Sequence, residues 1–155
     1  MRTEYGELLY QAKYQENSQS VQKLMLIVQQ AIRHIDALPI SAPQLKVDAV
    51  MAVPFYGVKN VSLPHLTAEV IAETLGIPNL SPIVVKTRST QPAKIAPIVN
   101  PTPFKILQEL DGSRILLVDD LFRTGSTLES VSTKIRQSGA KSVTGFCITK
   151  AITGM

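Results

Sequence analysis

One cysteine in 155 residues excludes a disulfide framework and a cysteine-built zinc site. Tryptophan is absent, and no dense Lys/Arg cluster alternates with aromatic residues, so a stacking platform for single-stranded nucleic acid has little support. No apolar run comes near the roughly 20 residues of a membrane helix. Met1-Arg2-Thr3-Glu4 lacks the charged-then-apolar order of a secretory signal. These absences lead to the expectation of a cytoplasmic protein with no membrane partner. The lone Cys147 lies in the apolar run from Val143 to Ile148, where a buried small side chain is expected in preference to a reactive thiol.

What is present is a hydrophobic content of 45%, enough at this length for one core and hence one domain, taken as 1–155. The net charge of +4 attracts anions, and suits a phosphate-rich small molecule as readily as nucleic acid. Leu8, Leu9 and Ala12 form one short helical face. Val21, Leu24, Met25, Val28, Ala31, Ile32 and Ile35 then recur at three- and four-residue steps, which predicts a second, core-facing helix. That stripe is assigned no chemistry. Asn17-Ser18 reads as the turn and cap between them, and Pro39 with Pro43 as the end of the second.

Strand, loop and helix then alternate. Val47 to Val53 reads as a strand, Pro54 to Ser62 as a loop, and Pro64 to Leu75 as a helix closed by Gly76. Ile83 to Lys86 is a second strand. A long segment follows from Thr87 to Pro103, carrying Pro92, Pro97, Pro101 and Pro103; loops of such length are usually functional. Arg114 to Val118 is a third strand, Ser126 to Ser138 a helix ended by Gly139, and Ser142 to Thr149 a fourth strand. The fold class expected is α/β, a mostly parallel sheet flanked by helices, with an N-terminal helical segment.

Chemistry concentrates where Ile115-Leu116-Leu117-Val118 runs into Asp119-Asp120. A continuous apolar run reads as a strand buried on both faces, and the carboxyl ends of such strands are where ligands bind in open α/β sheets. Thr124-Gly125-Ser126-Thr127 then opens a helix. Its first N–H groups and its dipole favour an anion, the hydroxyls of Thr124, Ser126 and Thr127 add donors, and Gly125 permits close approach. Two carboxylates would repel a polyphosphate bound alone, so the ligand must also carry donors. Ribose hydroxyls on the acids with a 5′-phosphate in the turn meet that requirement.

The segment Val118-Asp119-Asp120-Leu121-Phe122-Arg123-Thr124-Gly125-Ser126-Thr127 resembles the phosphoribosyl pyrophosphate (PRPP) signature of type I phosphoribosyltransferases. The resemblance implies that family's fold, with residues 1–45 as an N-terminal helical or hood segment and 46–155 as the PRPP-binding core. It implies PRPP binding by Asp119, Asp120, Arg123, Thr124, Gly125, Ser126 and Thr127, with the two acids carrying catalysis. Phe55, Tyr56 and Gly57 would form the pyrophosphate loop, and Lys86, Arg88 and Lys94 would reach in from a mobile loop. Mg²⁺ would arrive with PRPP and take no direct protein ligand. Asp119 to Thr127, together with Lys13-Tyr14, is most similar to the competence-associated ComF-like group, without its zinc ribbon.

Arg123 stands where purine-salvage members carry an acid that handles a proton on the base, and arginine does not release its proton in proteins. With the last strand close to Met155, a base-gripping hood is expected from residues before Val47. Two readings follow. One is a transferase moving the phosphoribosyl group from PRPP to an unidentified base or other nucleophile. The other is a non-catalytic module sensing PRPP or a nucleotide, or assisting DNA uptake. The expected partner is PRPP or a ribose 5-phosphate nucleotide; a homodimer accords with many relatives, and nucleic acid is the weakest candidate.

Overall fold

The computed structural model describes residues 3–36, 46–54, 62–86, 104–122 and 124–150. Helix α1 (Glu4–Tyr14) starts where the Thr3 side chain accepts the Gly6 N–H at 3.1 Å. Helix α2 (Ser18–Asp36) starts where Asn17 Oδ1 accepts the Ser20 N–H at 3.0 Å, so the expected turn is also the cap. Leu24, Val28 and Ile32 of the predicted stripe are buried, as a core-facing helix requires. Pro39 and Pro43 lie outside the described residues.

Strand β1 (Ala49–Ala52) is buried along its whole length. Helix α3 (Leu63–Leu75) is capped by Ser62 and closed by Gly76, whose φ of +65° is a left-handed turn that glycine adopts without steric cost. A 3-10 turn, Ser81–Ile83, leads into β2 (Val84–Lys86). Then come β3 (Phe104–Ile106), β4 (Arg114–Phe122), α4 (Ser126–Gln137) and β5 (Ser142–Lys150). Strand β3 is not legible in the sequence. It has three residues, directly follows the proline-rich segment, and exists as a strand by antiparallel pairing with β2. Strand β4 outruns its predicted end at Val118 because β5 pairs with it as far as Lys150.

The parallel sheet has the order β1-β4-β5, so β4 is its central strand. A strand turns successive side chains to opposite faces, and β4 builds two cores in this way. Ile115 and Leu117 pack with Val131 and Ile135 of α4, together with Val84 and Phe104 of the β2–β3 pair. Leu116 and Val118 pack with Val28 and Ile32 of α2 and with Ala68 and Ile71 of α3. Leu9 and Ala12 of α1 close a third cluster with Leu24 and Leu63. At the start of the sheet, the Arg114 guanidinium grips Asp48 in a fork, Nε to Oδ2 at 3.0 Å and Nη2 to Oδ1 at 2.8 Å. That partner holds the Asp48 carboxyl well below the usual carboxylate range. The pair ties β1 to β4 at the end away from the acids.

Candidate functional site

At the end of β4 the paired acids stay together, and their carboxyls interact directly. Asp119 lies in register with Cys147 of β5. Asp120 continues the Leu116–Val118 series toward the N-terminal helices. There its Oδ2 meets Lys13 Nζ at 2.8 Å, with 9% of the Asp120 side chain exposed against 33% of Lys13. The backbone N–H of Asp120 donates to Asp119 Oδ1 at 2.8 Å, which fixes the Asp119 carboxylate against the main chain. Burial pushes the Asp119 carboxyl up to about 6; the Asp120 N–H opposes this, the Asp120 carboxyl adds to it by its charge and by side-chain hydrogen bonding, and the Lys13 charge moderates it.

Strand β4 ends at Phe122 and α4 begins at Ser126. Between them Gly125 adopts φ +79° and caps α4 without a side-chain oxygen. A Cβ at this position would stand 2.9 Å from Phe122 Cε2 and 3.1 Å from Cζ. Gly125 therefore lies directly on the Phe122 ring. Thr124 and Ser126 share a hydroxyl hydrogen bond at 2.9 Å, and the Ser126 N–H reaches Thr124 Oγ1 at 3.3 Å. Thr124, Ser126 and Thr127 are exposed. A helix start with exposed hydroxyls and no capping carboxylate favours an anion through its N–H groups and its dipole.

Of the residues expected at the site, Asp119, Asp120, Thr124, Gly125, Ser126 and Thr127 are brought to this one end of β4. Arg123, Phe55, Tyr56, Gly57, Arg88 and Lys94 lie outside the described residues, and Lys86 is described by its backbone, as the last residue of β2. His65 sits in the first turn of α3, against its cap Ser62. Its Nδ1 sits 2.6 Å from Ser62 Oγ, and burial lowers its proton affinity.

Lys13 is the residue that pattern reading passed over as chemistry. It sits in the last turn of a helix assigned to packing, and no local spacing connects it to an acid of β4. Cys147 is half-buried, less enclosed than its apolar run suggests, and its thiol is pushed up to about 11 by burial and by the charges of Asp119 and Asp120. At mildly alkaline pH the native thiol is therefore expected to react with iodoacetamide about a hundredfold more slowly than in the urea-unfolded chain. Asp119→Asn should recover part of that rate. Equal rates in native and unfolded protein would show that the acids do not bear on the thiol.

The fold and this strand-turn-helix site define a class. The chain belongs to the phosphoribosyl transferase domain family, whose sequence profile matches residues 10–152. Among solved structures it is similar to a purine phosphoribosyltransferase from Pyrococcus horikoshii, at 19% identity and TM-score 0.52, over 87% of this chain and 83% of that one. Adenine phosphoribosyltransferase from Saccharomyces cerevisiae is similar at 18% identity and TM-score 0.57, over 88% and 71%. Glutamine PRPP amidotransferase from B. subtilis is similar at 19% identity and TM-score 0.60, over 83% of this chain but 26% of that chain. At such identities the common property is the fold, the type I phosphoribosyltransferase arrangement of a parallel sheet flanked by helices. No curated protein sequence matches the chain.

Proposed function

We propose that the protein binds PRPP, with the ribose hydroxyls against the Asp119-Asp120 pair and the 5′-phosphate in the turn from Arg123 to Thr127. The observation that carries this reading is the direct passage of β4, bearing both acids, into the glycine-capped start of α4. Carboxylates accept from hydroxyls, and helix N–H groups hold phosphate. In the transfer reaction the bond from ribose C1 to the pyrophosphate oxygen breaks, pyrophosphate leaves with the electron pair, and a nucleophile bonds to C1. Positive charge grows on the sugar in that step, and carboxylates beside the sugar would stabilise it.

Among the described residues no three His, Cys, Asp or Glu side chains converge on a metal site. The acid pair suits an ion held mostly by substrate oxygens and water, as Mg²⁺ prefers. Bound with PRPP, that ion would neutralise charge on the leaving pyrophosphate. Phe55, Tyr56 and Gly57, with Lys86, Arg88 and Lys94, are proposed for the pyrophosphate side.

A second reading, a ComF-like module that senses PRPP or a nucleotide or assists DNA handling, draws support from the Lys13–Asp120 contact. It joins the two segments, Lys13-Tyr14 and Asp119 to Thr127, that most resemble that group. Pyrophosphate release from PRPP and Mg²⁺ with a panel of bases separates the two. Turnover abolished by Asp119→Asn supports the transferase. Ribose 5-phosphate binding without turnover supports the module, and DNA affinity that falls steeply with salt supports its nucleic-acid form. If the protein binds neither PRPP nor ribose 5-phosphate, both readings fail.

A further inference from the structure

The acid pair is asymmetric in its surroundings, and the asymmetry comes from the N-terminal helix. Lys13 reaches Asp120 from the last turn of α1, while Leu9 and Ala12 of the same helix are buried against Leu24 and Leu63. The ammonium is thus set by packing, and is not the free end of a surface chain. Asp120 is almost fully enclosed, whereas Asp119 is half-buried. A buried carboxylate without a counter-charge is strongly disfavoured, and two neighbouring carboxylates would share that penalty.

We propose that Lys13 is a positioning residue of the sugar site: its ammonium pins Asp120, which leaves Asp119 as the carboxylate that meets the sugar hydroxyls. The inference rests on the ribose-phosphate reading and divides the pair into a ligand acid and a supporting acid. Among the described residues, the groups that bear on Asp119 by charge are Asp120 and Lys13, and Cys147 lies beside it in register. Removing the ammonium leaves Asp120 unbalanced. Asp119 then holds its proton to higher pH and accepts less well from a hydroxyl.

The test uses the full chain, ribose 5-phosphate as the probe, calorimetry for binding, and ¹³C-carboxyl NMR for the titration of Asp119 in the free protein. Lys13→Met is expected to weaken binding roughly tenfold at neutral pH, the scale of a hydrogen bond to a charged group. It should also move the Asp119 midpoint upward, and Lys13→Arg should restore both. The Lys13→Met/Asp120→Asn double variant leaves no unpaired charge, so it is expected to fold even where the single variant does not, and to bind within about tenfold of wild type. Wild-type binding with Lys13→Met unchanged in affinity and midpoint would overturn the proposal. So would a folded double variant with no binding, since Asp120 would then be a ligand itself. Absence of binding in the wild type sinks the ribose-phosphate reading instead.

Discussion

Asp119→Asn is expected to bind ribose 5-phosphate about ten- to a hundredfold more weakly than the wild type and yet to unfold at a higher temperature at neutral pH. The loss of affinity follows from replacing a charged acceptor, where a hydrogen bond contributes about 1.5–3 kcal/mol. The gain in stability follows from the raised proton affinity of this carboxyl. Between its ordinary value of 3.8 and about 6, the folded chain keeps a proton that the unfolded chain has released. Stability therefore falls as pH rises through that window, and the penalty persists above it. Solvent reaches Asp119 and reduces the penalty, so the sign is the prediction. Thermal melts across the window should slope downward for the wild type and run flatter for the asparagine variant. Parallel melts would remove the argument that Asp119 is held against its own stability for the sake of a ligand.

Gly125→Ala is expected to reduce affinity for ribose 5-phosphate at least about tenfold while leaving the fold standing. Two effects add. A left-handed backbone costs a residue with a Cβ about 1–2 kcal/mol, and the new methyl group meets the Phe122 ring at 2.9 Å. Relief comes by shifting the turn, which misaims the N–H groups at the start of α4. Helix α4 itself is anchored further along by Val131 and Ile135, so the damage stays local. Phe122→Ala on the same background removes the collision but not the backbone strain, and should restore part of the affinity. Full affinity in Gly125→Ala, measured by calorimetry beside urea unfolding, would mean that no phosphate uses this turn.

The elements that could be read from the chain are those whose signals are local. The α2 stripe, the Gly76 stop and the apolar run into Asp119-Asp120 each declare themselves within a few residues, since helix and strand periods are short. Strand β3 gave no such signal, because three residues acquire strand character from β2 across a long intervening segment. The end of β4 was placed early for a similar reason: pairing with β5 extends it through both acids to Phe122.

The order of residues by itself determined the family-defining phrase, a buried strand, two acids, and a glycine turn rich in hydroxyls, because these are consecutive and their chemistry does not depend on distant neighbours. Tertiary structure decided how the two acids differ. Asp119 and Asp120 are enclosed to different degrees, and the packing of α1 against α2 and α3 brings Lys13 to Asp120. A charge pair between segments so distant in sequence exists only once the helices are packed, since packing sets both the separation and the burial that make the contact count.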